Sequence, residues 1–195
     1  MKNLHLIAFA LKALADNIED LEETNQQFSS KGTAINWKSG RLPAIFRLVN
    51  FPGNSIVLDY GGGTTESQEL ANNFLKSINS EDLVYDPFNR TRQENDEVLR
   101  KIRRNGGADV AICSNVLNVI AEESARISVL KNIKRLTKPG APVYFTVYEG
   151  NNSGVGRQTD KDQYQNNKKT ADYIGEIEQV FSNVKRHGKL IEARS

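Results

Sequence analysis

The chain has 195 residues, 38% of them apolar and 26% charged, with a formal net charge of +2; this suits one α/β domain with its own core. Basic and acidic residues nearly balance, so charge alone marks neither a nucleic-acid binder nor a membrane-surface protein. A single cysteine, Cys113, excludes a disulfide framework and a cysteine-rich zinc site, no metal is expected, and no apolar run reaches membrane-spanning length.

Leu4, Ile7, Leu11, Leu14, Ile18 and Leu21 recur at steps of three and four, which predicts an amphipathic helix of about three heptads. It would pack on its own domain, pair two copies of the chain as a homodimer, or cover a substrate. A secretory leader is not expected at the start: His5 and Lys12 interrupt the apolar stretch, and the periodicity runs through the cleavage-like site. A cytoplasmic protein is expected. Polar Glu22 to Ser30 ends the helix. Lys31 to Asn50 is a connector holding Trp37, Lys38, Arg41 and a short helix started at Leu42-Pro43. Residues 1–50 thus read as an N-terminal extension or lid, and residues 51–195 as the domain.

Ser55 to Gln68 organises that domain. Ile56-Val57-Leu58 is a buried strand, Asp59 closes it, Gly61-Gly62-Gly63 turn the chain, and Thr65 to Gln68 has the spacing of a helix capping box. Strand, glycine turn and helix start together make a nucleotide site at the carboxyl edge of a parallel sheet. An acidic residue placed before the glycines suits a ligand that offers donors, such as an amine or a ribose, rather than a phosphate.

A helix over about Ser67–Ile78 and a strand Asp82–Tyr85 follow, the strand ended by Asp86-Pro87. Glu94 to Arg104 reads as a surface helix, acidic at its start and basic at its end. Its Arg100, Lys101, Arg103 and Arg104 make a solvated face or touch phosphate. Ala108 to Cys113 is a third strand, with Ser114 to Ile120 at its carboxyl edge. A helix Glu122–Leu136, a Pro139-Gly140 stop and a strand Val143–Val147 come next. Asn151 to Lys169 is long, polar and irregular in pattern, which marks a solvated loop or a substrate loop carrying Arg157, Gln158, Gln163, Tyr164 and Gln165. Thr170 to Phe181 predicts a last helix, and Val184 to Arg194 a closing hairpin turned at His187-Gly188.

In this order the motifs resemble class I S-adenosylmethionine-dependent methyltransferases. V-L-D-Y-G-G-G-T-T is similar to their first motif, V-Y-D-P-F to their acidic second strand end, A-D-V-A-I-C-S-N-V-L-N-V-I to their fourth-strand motif, and L-T-K-P-G-A-P-V-Y-F-T-V to the helix, turn and fifth strand after it. The D-P-F and S-N-V-L-N-V-I pieces also resemble methyltransferases associated with DNA-modification systems and phages. The resemblance covers about Ser55 to Val147. It implies a Rossmann-like, mostly parallel α/β sheet with a C-terminal antiparallel hairpin, and S-adenosyl-L-methionine as cofactor. Two departures stand out. Thr65 sits where the family's last glycine is expected, and no third strand is legible between Asp86 and Ala108.

The resemblance implies roles. Asp59, Tyr60 and Gly61 to Gly63 would face the methionine part, Asp86 the ribose hydroxyls, Pro87 and Phe88 the adenine, and Ser114 and Asn115 the amine. Arg41 would pair with the cofactor carboxylate, and Trp37 would stack on a ring or lie in the core. Asn115 and Tyr148 are the catalytic candidates, with Asn118 and Glu149 also at strand ends. Asn115 begins N-V-L-N, unlike the N-P-P-Y of enzymes that methylate exocyclic base amines. There is also no Pro-Cys nucleophile for cytosine carbon-5. The acceptor stays open, with nucleic acid or a nucleotide ahead of a small metabolite. A catalytically silent binding protein of the same fold is the alternative, and a dinucleotide oxidoreductase is disfavoured because the last glycine of its motif would fall at Glu66.

Overall fold

Short runs of β-branched and aromatic residues form the strands, and each helix lays one apolar stripe against them. In the computed structural model, residues 21–31 and 42–195 are described. A short helix α1 (Ile45–Leu48) precedes β1 (Ile56–Tyr60), α2 (Thr65–Lys76), β2 (Glu81–Tyr85), α3 (Arg92–Arg104) and β3 (Val110–Ser114). A 3-10 turn, Leu117–Val119, leads to α4 (Glu123–Leu136) and β4 (Pro142–Thr146). The rest is a small hairpin, β5 (Arg157–Asp160) and β6 (Gln163–Gln165), a 3-10 turn Thr170–Tyr173, α5 (Ile174–Glu178), and β7 (Ser182–His187) with β8 (Leu190–Arg194).

The main sheet has six strands in the order β2-β1-β3-β4-β8-β7. β2, β1, β3 and β4 run parallel, while β8 is antiparallel to β4 and β7 antiparallel to β8. Among the described residues β2 is the edge, so the third strand missing from the sequence pattern is missing from the sheet. Alternation along the strands divides the core in two. Leu58, Ala111, Cys113 and Phe145 pack toward α3, α4 and α5; Val57, Val110 and Ile112 pack toward α1 and α2. Cys113 is a buried core residue, as its place in a strand predicts.

Three local expectations change. α2 starts at Thr65 after Thr64, and no side chain caps it. Thr65 and Gln68 bind a neighbouring arginine instead of forming a box. The expected helix Thr170–Phe181 is a 3-10 turn and a five-residue helix; at its start Thr170 is held by the Glu149 carboxylate through its N–H and its hydroxyl, both at 2.8 Å. The Asn151–Lys169 segment is not irregular, since it contains the β5–β6 hairpin. All but Leu21 of the predicted helix Leu4–Leu21, together with Trp37, Lys38 and Arg41, lies outside the described residues.

Candidate functional site

Chain order places β2 to one side of β1 and β3 to the other. A crevice opens above the carboxyl ends of strands at such a switch point. Here it is a cavity of about 640 Å³. The glycine turn after β1, the Asp86–Asn89 turn after β2, and Ser114 to Val116 after β3 form its floor. The sequence-predicted Asp59, Tyr60, Gly61 to Gly63, Asp86, Pro87, Phe88, Ser114, Asn115 and Tyr148 all line it.

The glycines are required by contact. Gly61 has φ +77°, and a Cβ there would lie 2.4 Å from Val116 Cγ2. A Cβ on Gly62 would lie 2.6 Å from the Asp59 carboxyl. Gly61 N–H donates to Tyr85 O at 2.8 Å, which ties the turn to the neighbouring strand end. Tyr60 alternates with Asp59 and points the other way, into the core beside Tyr85 at 5.2 Å between ring centroids.

Asp86 builds the turn. Its carboxylate accepts Gly63 N–H at 3.0 Å, Phe88 and Asn89 N–H at 2.9 Å each, and Asn89 Nδ2 at 3.1 Å. A carboxylate has about four lone-pair directions, and all are used. Asn95 fixes the backbone of the same residue: Asp86 N–H donates to Asn95 Oδ1, and Asn95 Nδ2 donates to Asp86 O, both at 3.0 Å.

Arg90 then clamps the glycine turn from above. Nε donates to Gly63 O at 2.7 Å, Nη1 to Thr65 Oγ1 at 3.0 Å, and Nη2 to Thr64 O at 3.0 Å and Gln68 Oε1 at 2.9 Å. A planar fork of donors suits this convergent set. Neither Arg90 nor Asn95 was legible as functional from the sequence. Their only signal is spacing, Arg90 one helical turn after Asp86, with Arg90 N–H donating to Asp86 O at 3.2 Å.

Two acids lie under the turn. Asp59 is buried, and no described residue donates a hydrogen bond to its carboxyl. Burial, and then the Asp86 charge, push its pKa up to about 7, against a lowering pull from Arg90. Asp82, on the same face of β2, is 4% exposed, and neither carboxyl oxygen has a hydrogen-bond partner. Gln68 Nε2 beside it is donated to the Asp82 backbone carbonyl at 2.9 Å. Burial and the neighbouring Asp59 raise the Asp82 carboxyl well above its usual range.

No protein-family model matches the sequence, and no curated protein matches it. Among solved structures the chain is similar to the Burkholderia thailandensis 1,6-didemethyltoxoflavin-N1-methyltransferase, which was solved with 1,6-didemethyltoxoflavin and S-adenosylhomocysteine bound. Identity is 14% and the TM-score 0.52, over 78% of this chain and 75% of that one. It is also similar to an S-adenosylmethionine-dependent methyltransferase from Mesorhizobium loti, at 11% identity and TM-score 0.51, over 78% of this chain and 96% of that one. The chain has a class I methyltransferase fold.

On this fold the far side of the cavity is walled by two segments, one of them within the substrate-loop candidate Asn151–Lys169. A strap, residues 22–30, crosses from α4 to the hairpin. Glu22 N–H donates to Asn132 Oδ1 at 2.7 Å, and Asn132 Nδ2 returns a bond to Glu22 O at 2.8 Å. At the other end Ser29 N–H and Oγ both donate to Asp162, and Phe28 stacks on Tyr164 at 5.4 Å. Buried amides staple the hairpin down. Asn166 Nδ2 reaches the carbonyls of Leu117, Asn118 and Ile120 at 2.8 to 3.2 Å. Asn118 Nδ2 donates to Gln165 Oε1 at 3.1 Å, and Gln165 Nε2 to Tyr148 O at 2.8 Å. Asn118 is therefore structural. So is Glu149, which holds Thr170 and lies 3.4 Å from Lys189. Asn115 is exposed with φ +58°, and Tyr148 is 63% exposed at the rim. Among the described residues lining the cavity there is no histidine, lysine, glutamate or cysteine.

Proposed function

We propose that the protein is an S-adenosylmethionine-dependent methyltransferase. One observation carries this reading: Asp59, a buried carboxyl that no described residue satisfies, stands against Gly62 at the switch point of a class I fold. An ammonium group brings the donors it lacks. Support comes from the Burkholderia thailandensis structure, which has S-adenosylhomocysteine bound on the same fold.

When bound, the cofactor supplies an electrophilic methyl group on a sulfonium whose positive charge disappears as the C–S bond breaks. The residues of this chain hold and shield. Asp59 would accept from the amine. Asp86 would accept a ribose hydroxyl, displacing one of the donors its carboxylate now holds. Pro87 and Phe88 present apolar surface to the adenine. Arg41 is the candidate partner for the cofactor carboxylate. Strap and hairpin exclude water and orient the acceptor, Asn115 and Tyr148 being nearest to it at the strand ends. Such positioning supplies several kcal/mol of rate.

Calorimetry tests the reading. S-adenosylmethionine and S-adenosylhomocysteine should bind, Asp59→Asn should weaken both, and NAD should give no heat. Heat from NAD and none from S-adenosylhomocysteine would end it.

A further inference from the structure

We infer that the methyl acceptor is a small acidic molecule whose carboxylate is held by Arg157 at the rim of the cavity. The inference rests on the methyltransferase reading and adds to it the class of acceptor.

The first support is enclosure. The strap and the stapled hairpin both wall a cavity of about 640 Å³, a size typical of small-molecule sites. The cofactor and the acceptor would share that space, which favours a compact acceptor.

The second is charge. Along β5 the residues alternate. Arg157 and Thr159 face the cavity, while Gln158 folds back with Nε2 donating to Asp160 O at 2.9 Å and Lys161 O at 3.0 Å. The backbone of Arg157 pairs with Gln165, and its exposed side chain has no ion pair or hydrogen bond among the described residues. The nearby acids are committed elsewhere: Asp162 to Ser29, and Asp160 Oδ1 to Lys161 N–H at 2.7 Å. Asp59 and Asp86 stand at the other end, under the glycine turn. Among the described residues lining the cavity, Arg157 is thus the one cation, and its fork matches a carboxylate.

The third is an orphaned acceptor. Gln26, in the cavity wall, donates Nε2 to Phe28 O at 2.7 Å, so its Oε1 is fixed as an acceptor, buried and without a partner among the described residues. A ligand N–H or O–H would satisfy it. The acceptor therefore bears an acid and, away from it, a donor.

Thermal melts of protein saturated with S-adenosylhomocysteine test this, with benzoate, 4-hydroxybenzoate and nicotinate set against their uncharged amides. The carboxylates should raise the melting temperature beyond the product alone, 4-hydroxybenzoate most. Arg157→Gln should weaken them about tenfold or more while keeping the full shift from S-adenosylhomocysteine. Arg157 makes no contact that folding needs, so the variant should be stable. Equal response to acids and amides, no response to either, or an undiminished response in Arg157→Gln would overturn the inference. So would a single-stranded oligonucleotide giving the larger shift. Loss of the S-adenosylhomocysteine shift in the unmodified protein would instead remove the methyltransferase reading beneath it.

Discussion

The Gly63 N–H donates to Asp86 Oδ2 at 3.0 Å, joining the turns that end two adjacent parallel strands. One carboxylate thereby sets the shape of the glycine turn 23 residues earlier in the chain. Replacing Asp86 by alanine leaves the N–H groups of Gly63, Phe88 and Asn89 without their acceptor. An unpaired buried donor costs about 1–3 kcal/mol, and solvent reaching the cavity recovers part of that. Urea unfolding should show a loss of about 2–4 kcal/mol, and S-adenosylhomocysteine binding should vanish. An unchanged midpoint would mean that the turn is held by Arg90 alone.

Arg90 gives a separate test. Arg90→Lys keeps the charge but loses the fork that reaches Gly63, Thr64, Thr65 and Gln68 together. The expected result is a folded protein less stable by about 1–2 kcal/mol, with cofactor affinity lowered about tenfold. Calorimetry beside a thermal melt separates the two effects. Equal affinity in both proteins would reduce Arg90 to a purely structural strut.

Asp59 and Asp82 fix the sign of a pH dependence. Both carboxyls have raised folded-state values, by burial first and then by a neighbouring acid. A raised acid contributes stability that is complete below its unfolded pKa of about 4. That contribution is lost as pH rises through the folded value. Without ligand the protein should therefore lose stability from about pH 5 to beyond 7. Asp82→Asn should flatten that decline and be the more stable protein at pH 7, as urea midpoints at several pH values will show. A midpoint that rises over this window would contradict the assignment.

Cofactor binding should follow the opposite slope. Asp59 must be ionised to hold an ammonium, and its value of about 7 in the free protein places that step near neutrality. Affinity for S-adenosylhomocysteine should tighten between pH 6 and 8, by up to about tenfold per unit below that value. Binding should release protons, seen as a buffer-dependent heat. Asp59→Asn should bind weakly with no such slope.

The hairpin depends on Asn166, which is 4% exposed and donates to three carbonyls of the loop after β3. Asn166→Ala should cost about 2–3 kcal/mol and speed limited proteolysis within residues 151–169. The S-adenosylhomocysteine affinity should change little, because the glycine turn is held from the β2 side. Proteolysis at the unmodified rate would show that the Phe28–Tyr164 stack suffices.

By itself the sequence determined the parallel core. Ile56-Val57-Leu58, Leu83-Val84 and Ala108 to Cys113 are apolar runs that can only be strands buried on both faces, and Gly61 to Gly63 can only be a turn with no room for side chains. Asp59, Asp86, Ser114 and Asn115 were legible for the same reason: each ends a strand at the edge where parallel sheets open. The tertiary structure alone decided what those residues meet. Arg90, Asn95 and Asn132 look like surface residues, because a polar side chain that satisfies distant backbone groups leaves no periodicity. Gln165, Asn166 and Asn167 read as solvent-exposed loop, yet all three are buried, because bonds to backbone and to the Asn118 side chain replace those they would make to water. The covered half of the cavity rests on those bonds.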